Sequence, residues 1–329
     1  MRRLFCIILS LVLLTAVILP LRAAAAPQTL SDRIAKFIYD NGLDDSNFAL
    51  SYFNCATEET YAYNADACFP AGNLWKLSLH MYYYEQEMLG AFVNPEKPSE
   101  VYTIAGMDLE ECRYRSIILG DEETSIKMRD EVGSYDQYKL AVNEAFGHIP
   151  EDKIPEEFYH ENVYSTRFWI NSLVEIFHHG ENFQNMMRNF AMVQTADGLA
   201  GYDKTYPMTH IRGEENGFVS DAGQIHGAQS YLLACSVSKE AGGDEILAKI
   251  NTLICSYVEE VAGQNRPSGS DDFYRGEGTM TVVSGGKTNQ NDALLWVGIA
   301  VGGFIVLAAA IGIPTILVLR HKRDNQRYD

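Results

Sequence analysis

The chain has 329 residues, which is enough material for one or two domains with a sizeable buried core. Hydrophobic residues make up 47% and charged residues 21%, proportions typical of globular proteins, so a wholly disordered or collagen-like chain is excluded. The formal net charge of −18 excludes a protein that binds nucleic acid through electrostatic attraction.

Residues 1–26 have the pattern of a secretory signal peptide. Arg2 and Arg3 form a basic start, residues 4–19 are mostly apolar, and four alanines at 23–26 suit cleavage. An uncleaved N-terminal anchor is the alternative. We therefore expect residues 27–262 to form an exported domain.

The exported domain shows helical and strand patterns in a defined order. Ser31 is predicted to cap a first helix that ends at Asn41 and Gly42, and a second helix is predicted from Asn73 to about Leu89 with its apolar residues on one side. The other predicted elements are strands 48–53 and 60–63, a mostly helical region 100–200, strands 208–212, 218–225 and 231–236, and a helix over 244–261. This order favours an α+β fold, a three-layer sandwich. Its five-stranded antiparallel sheet lies between the terminal helices and a large helical block.

The C-terminal part of the chain is predicted to tether the domain to a membrane. Residues 263–292 are rich in Gly, Ser, Asn and Asp, which is typical of a flexible stalk. Residues 293–319 contain no charged side chain, and about 20 apolar residues suffice to cross a bilayer, so a transmembrane helix is predicted. Residues 320–329 begin with the basic letters RHKR, which predicts a short cytoplasmic tail and places residues 27–262 outside the cell.

Two features concern covalent links and association. Gly298 and Gly302 form a small-xxx-small pair that would allow two transmembrane helices to pack as a homodimer, although glycine is common in membrane helices.

Five cysteines remain after removal of the signal peptide, and this odd count leaves at least one thiol without an intrachain partner. No Cys or His spacing is typical of a metal site, so we expect neither metal nor cofactor. The five cysteines are Cys55, Cys68, Cys112, Cys235 and Cys255.

Four short stretches follow one another in an informative order. They are residues 69–77 (FPAGNLWKL), 117–123 (IILGDEE), 162–167 (NVYSTR), and 209–213 (THIRG) followed by 219–223 (VSDAG). Together they resemble the serine β-lactamase and penicillin-binding protein superfamily, in its class A-like branch. The resemblance covers residues 28–262 and implies the fold described above. An unrelated α+β surface domain is the alternative.

The resemblance implies acyl transfer at a serine. In that family a serine at a helix N-terminus attacks an amide carbonyl, and the lysine of S-x-x-K one turn later helps remove its proton. Here Asn73 stands at the serine position, and its carboxamide is not a usable nucleophile near neutral pH. Lys76 remains at the lysine position, where we expect it to form a structural ion pair beside Asn73 and Asp121.

The other two motifs also depart from the family. The S-D-N motif loses its serine, and the K-T-G motif loses its lysine and threonine. The cation of Arg212 is one residue displaced, and alternate strand residues point to opposite faces, so it replaces the lysine poorly. In motif order these positions are Gly120, Asp121 and Glu122, then Ile211, Arg212 and Gly213.

These departures predict a membrane-anchored extracellular pseudoenzyme of the cell envelope that binds a cell-wall peptide or an envelope protein without cleavage. The alternative is an active serine hydrolase of the β-lactamase or D-Ala-D-Ala carboxypeptidase type that uses another nucleophile, for which Ser78, Ser165 and Ser236 are the candidates. Residues 236–239 and 284–287 also match S-x-x-K, but four-residue matches of this kind arise by chance. A third possibility is a structural domain in which side chains fill the former cleft.

Overall fold

The computed structural model describes residues 28–97, 99–202 and 206–264. Within these ranges, no helix is both long enough and apolar enough to cross a membrane. The predicted signal peptide at 1–26, nearly all of the stalk at 263–292, the transmembrane helix at 293–319 with its glycine pair, and the tail at 320–329 lie outside the described residues. These assignments stay predictions.

The domain is built on one antiparallel sheet of five strands in the order β2-β1-β9-β8-β7. Two further two-stranded pairs, β3 with β6 and β4 with β5, lie outside this sheet. The strands are β1 Phe48–Asn54, β2 Thr60–Tyr63, β3 Cys68–Pro70, β4 Thr103–Ile104, β5 Met107–Asp108, β6 Val163–Ser165, β7 Met208–Glu215, β8 Phe218–His226 and β9 Ser230–Ser238. The predicted α+β class and five-stranded sheet are therefore confirmed.

Helices cover both faces of the sheet. Most of them belong to one block that lies between β2 and β7 in the chain. The helices are α1 Leu30–Asp40, α2 Trp75–Met88, α3 Leu109–Arg113, α4 Glu122–Val132, α5 Tyr135–Val142, α6 Glu157–His160, α7 Thr166–His178, α8 Gly180–Val193 and α9 Asp244–Gln264. A 3-10 turn, Gly72–Leu74, precedes α2, and single π-helical turns follow α3 and α5.

Two apolar cores separate the three layers, because successive strand residues point to opposite faces. Leu233 of β9 packs in the core that joins α1 and α9 to the sheet, with Ile34 and Ile250. Its neighbour Leu232 packs in the other core, which contains α2 and the rest of the helical block. The sheet therefore lies between the terminal helices and the helical block, as predicted.

Two local predictions were wrong. The first helix is capped by Thr29 rather than Ser31, since Thr29 and Asp32 form a reciprocal capping box. The second helix is buried on nearly all sides rather than on one, because it lies inside the helical block with α4, α5 and α8 around it. Even His80 is fully buried there, whereas Met88, the last residue of the helix, is 48% exposed.

Cys55, Cys68, Cys112 and Cys235, which lie in the described ranges, form no disulfide there. Cys112, Cys235 and Cys255 are buried, and burial raises the pKa of Cys55 and of Cys68 to about 12, so these thiols stay protonated near neutral pH. The fold is therefore held by packing of its two cores and not by disulfides.

Candidate functional site

The candidate site lies where β3 leads through the turn Gly72–Leu74 into α2. This turn packs directly against the edge strand β7. A Cβ atom added to Gly213 would lie 1.8 Å from the carbonyl oxygen of Ala71 and 2.8 Å from the amide nitrogen of Asn73. A Cβ atom on Gly72 would lie 2.2 Å from the amide nitrogen of Glu214. The two backbones are therefore in direct contact at Gly72 and Gly213.

Asn73 and Lys76 occupy different environments at the start of α2. Asn73 is exposed on the turn. Lys76, one turn later, is only 5% exposed, and its Nζ lies 3.0 Å from Glu122 Oε2 and 3.5 Å from the carbonyl oxygen of Gly120. The ion pair expected for Lys76 is thus present, but its anion is Glu122 and not Asp121.

Asp121 does not pair with Lys76 because it caps helix α4. Its carboxylate accepts the hydroxyl of Thr124 at 2.7 Å and the backbone N–H groups of Glu123 and Thr124. These hydrogen bonds, that from the Thr124 hydroxyl first, hold the pKa of the Asp121 carboxyl below its usual value. Gly120 precedes it with a φ of +67°, so a serine at this position would have a strained backbone.

The strand residues of the K-T-G-like stretch alternate as strand geometry predicts. Ile211 points into the core of the helical block and is 6% exposed. Arg212 points to the opposite face, where its Nε donates to Asp244 Oδ1 at 2.6 Å at the start of α9 and a second nitrogen donates to Glu214 at 2.8 Å. The guanidinium of Arg212 is therefore engaged away from the turn that carries Asn73.

A carboxylate that the sequence patterns did not single out closes the outer side of the turn. Glu215 Oε2 accepts the backbone N–H of Gly72 at 3.2 Å and the amide of Asn162 at 2.7 Å. The same amide donates to the carbonyl oxygen of Gly72 at 3.1 Å. Glu215 lies two residues after Gly213 in β7, so the period of two along a strand was the signal that could have placed it on this face. All four motif stretches thus meet around the turn.

The serines considered as alternative nucleophiles are inaccessible. Ser78 and Ser236 have no exposed surface and Ser165 is 1% exposed. Ser78 lies 2.9 Å from the Tyr138 hydroxyl, Ser165 caps α7, and Ser236 lies 2.8 Å from the Ser220 hydroxyl inside the sheet. None of the three can reach a substrate without unfolding of its surroundings. The second chance match, at 284–287, lies outside the described residues.

Beside the site, a buried histidine is held in its charged form. His210 and Asp221 are fully buried at their side chains, with Nδ1 2.9 Å from the carboxylate. The other ring nitrogen lies 3.0 Å from the carbonyl oxygen of Thr195, so both nitrogens face acceptors and both must carry a proton. Burial disfavours this charge, but the carboxylate of Asp221 and the Thr195 carbonyl outweigh it and raise the pKa of His210 to about 9.

No group of three or more His, Cys, Asp or Glu side chains in the described part of the chain is arranged to hold a metal ion. No protein-family model matches the chain, and no curated protein matches it in sequence.

Solved structures do match it. PBP-A is 16% identical, with a TM-score of 0.55 over 71% of this chain and 98% of that one. A variant of the extended-spectrum β-lactamase TLA-1 is 12% identical, with a TM-score of 0.55 over 69% and 98% of the two chains. An ancestral class A β-lactamase, GNCA, is 13% identical, with a TM-score of 0.54 over 70% and 100%. The chain therefore has the fold of the serine β-lactamases and penicillin-binding proteins.

The geometry of Lys76 leads to a first prediction. We expect Glu122→Gln to lower the free energy of unfolding by about 1–2 kcal/mol, because it leaves a nearly buried ammonium group without its anion. Lys76→Met, which removes the charge and keeps the packing, should change stability by less than about 1 kcal/mol. Urea denaturation of the two variants tests this. A larger loss for the Lys76 variant than for the Glu122 variant would contradict the expectation that the unpaired ammonium group is the costly one.

Proposed function

We propose that this chain is a non-catalytic, membrane-anchored protein of the cell envelope whose extracellular domain binds a partner without cleaving it. The residue at the position of the missing nucleophile carries this proposal, because Asn73 is exposed there but its carboxamide is not a usable nucleophile near neutral pH. The Glu122 carboxylate on Lys76 supports the same conclusion, since the lysine is already paired. The predicted signal peptide, transmembrane helix and basic tail support its placement outside a membrane.

Two kinds of partner follow from the sequence, a cell-wall peptide in the former cleft or another envelope protein. Glu215 and Asn162 already bind the backbone N–H and carbonyl of Gly72, so these groups are not available to hold a peptide, which favours the protein partner. Pairing of two chains through Gly298 and Gly302 is a further part of the proposal and is compatible with either partner.

The second candidate function, a working serine hydrolase, has less support. It needs an accessible serine next to a base, and Ser78, Ser165 and Ser236 are all buried with partners of their own. Glu156 and Glu157, which lie in the region where the related enzymes carry a deacylating glutamate, are exposed. No observation specific to this chain favours turnover.

Intact-mass measurement is the direct test. We expect the full chain, purified in detergent and incubated with penicillin G or with a fluorophosphonate, to show no added mass from either reagent. We expect the same for Asn73→Ser, because its new hydroxyl would lie beside a lysine already paired with Glu122 and beside Gly213.

An active penicillin-binding protein treated in parallel shows that the reagents are competent. An adduct on the unmodified chain would show that it has a reactive nucleophile and would overturn the proposal. An adduct on Asn73→Ser alone would show that the cleft admits a substrate and that only one group is missing. Saturable binding of a stem peptide without an adduct would show that the partner is a cell-wall peptide and not an envelope protein.

A further inference from the structure

The two edge strands of the main sheet differ in what lies against them. At one edge, β7 packs against the turn before α2 through Gly213. At the opposite edge, β2 pairs with β1 only, in the described part of the chain, and its residues Thr60 and Ala62 are exposed. β2 has the sequence TYAY, without the charged residue or proline that commonly keeps an edge strand from pairing. We call the outer side of residues 60–63 the β2 edge.

The backbone of β2 presents unpaired hydrogen-bonding groups along this edge. In an antiparallel pair, every second residue bonds to the partner strand, and the residues between them point their N–H and C=O groups away from it. The N–H of Asn54 donates to the carbonyl oxygen of Glu59 at 2.9 Å, so the residues that bond to β1 alternate from there and include Tyr61. Thr60 and Ala62 therefore direct their backbone groups outward, and no described residue hydrogen-bonds to those groups.

The side chains of β2 define what an added strand must carry. Tyr61 and Tyr63 point to the face that α1 and α9 cover, where they are half-buried against that core. Thr60 and Ala62 point to the other face. Residues opposite one another in paired strands share a face, so apolar side chains suit the positions beside the tyrosines, and small or β-branched ones suit the positions between.

The charges at both ends of the β2 edge favour a basic strand. Glu58 and Glu59 immediately precede β2, and the amide of Asn64, which follows it, donates to the carbonyl oxygen of Asp45 at 2.7 Å. Asp44 adjoins Asp45 in the same turn. None of these four carboxylates forms an ion pair with a Lys or Arg side chain of the described ranges. Lysine or arginine residues that flank the added strand would therefore be attracted at both ends.

A second copy of this chain fits the edge less well. Two β2 strands paired antiparallel would place the start of one beside the end of the other, so the glutamates before each strand would face the aspartates after its neighbour. Like charges would thus meet at both ends, in a chain whose net charge is −18. Strands of four residues also supply little of the roughly 1,200 Å² or more that a stable interface buries.

We propose that the β2 edge binds an extended segment of a partner protein, flanked by lysine or arginine, as a sixth strand of the sheet. Hydrogen bonds to the backbones of Thr60 and Ala62 supply the affinity, and the flanking charges supply the selectivity. The proposal goes beyond the proposed function and does not depend on it, because β2 and β7 are opposite edges of the sheet. A chain that reacted with penicillin could still bind a strand here.

Fluorescence anisotropy with three labelled peptides tests the proposal on the full chain in detergent. The basic peptide KKTVTVKK should bind saturably, with a Kd of about 0.1–1 mM. The acidic peptide EETVTVEE should not bind, and neither should KKTVPVKK, in which a proline interrupts the ladder. Hydrogen exchange followed by mass spectrometry should show that KKTVTVKK slows exchange in the fragment that contains residues 60–62.

Three variants of the chain locate the binding. Ala62→Pro removes one outward N–H and leaves the bonds of β2 to β1 intact, because an edge strand tolerates proline where its N–H faces solvent. It should weaken the binding of KKTVTVKK at least about tenfold. Ala62→Val is the matched control, since it keeps the N–H and favours a strand, and its affinity should be unchanged or slightly higher. Glu58→Gln, which leaves β2 untouched, should weaken binding about two- to threefold in low salt.

Four results would show that the proposal is wrong. They are the absence of KKTVTVKK binding up to about 5 mM, equal affinity of Ala62→Pro and Ala62→Val, unchanged affinity of Glu58→Gln in low salt, and equal binding of the acidic and basic peptides. Protection of residues 60–62 without any peptide, rising with protein concentration, would identify a second copy of the chain as the occupant and equally overturn it.

Discussion

Replacement of Gly213 by alanine should lower the free energy of unfolding by more than about 3 kcal/mol, the upper end of what overpacking usually costs. The added methyl group would lie 1.8 Å from the carbonyl oxygen of Ala71, which is far inside van der Waals contact. The neighbour is backbone on both sides, so no side chain can rotate away to make room. Either β7 or the turn before α2 must move, and each is fixed by its own hydrogen bonds. Chemical denaturation of the full chain in detergent, followed by tryptophan fluorescence, measures the loss.

The control is Gly180→Ala. Gly180 is the first residue of α8, and no heavy atom lies within 4 Å of the position its Cβ would take. Because alanine favours the helix, this variant should be unchanged or more stable by up to about 1 kcal/mol. If Gly213→Ala were as stable as the control, the strand and the turn would not be in contact.

Most of the sheet could be predicted from local patterns. The first hairpin was expected over 48–53 and 60–63 and is observed as Phe48–Asn54 and Thr60–Tyr63, because turn residues bound both strands closely. β7 was expected to end at residue 212 but continues to Glu215. Its last residues are acidic, so the apolar pattern stops there, although backbone pairing with β8 continues to the turn.

Because the last three residues of β7 were not predicted as strand, part of the site was missed. Glu214 and Glu215 were outside the predicted strand. Neither the hydrogen bond from Gly72 to Glu215 nor the ion pair of Glu214 with Arg212 could therefore be inferred. The contact of Gly213 with Ala71 joins residues far apart in the chain, and no local pattern reports such an approach. Strand alternation did predict that Arg212 cannot take the place of a lysine at position 211.

The partner of Lys76 shows where local rules compete. Asp121 and Glu122 are adjacent in sequence, and proximity alone does not choose between them. Asp121 stands immediately before an amphipathic helix, where a short carboxylate is a preferred N-cap. Weighing that capping preference would have assigned Asp121 to the helix and left the longer Glu122 for Lys76, as observed.

The second large effect concerns pH. The pKa of His210 is raised to about 9 in the folded chain from an unfolded value of 6.5. A raised pKa means that the folded state holds this proton more tightly, so the stabilisation is complete below about pH 6.5 and is lost as the pH rises through about 9. The free energy of unfolding should therefore fall by about 3 kcal/mol over this interval. His80, whose burial lowers its pKa to about 3, affects stability only below pH 6.5.

Urea denaturation between pH 6 and 9.5 of the full chain and of His210→Gln measures this contribution as the difference between the two slopes. His210→Gln should be the less stable protein at pH 6.5, since it leaves the Asp221 carboxylate buried without its cation, and the two stabilities should converge towards pH 9.5. His178→Gln makes the same change at an exposed histidine with no ion pair to a described residue, and should keep the slope of the unmodified chain. Parallel curves for the unmodified chain and His210→Gln would mean that His210 has the same pKa folded and unfolded, and is therefore mostly neutral above pH 6.5 in the folded chain. A neutral imidazole carries one N–H, so its ring can donate to Asp221 or to the carbonyl oxygen of Thr195 but not to both. If it donates to Asp221, other contacts must hold the loop that carries Thr195 against β7.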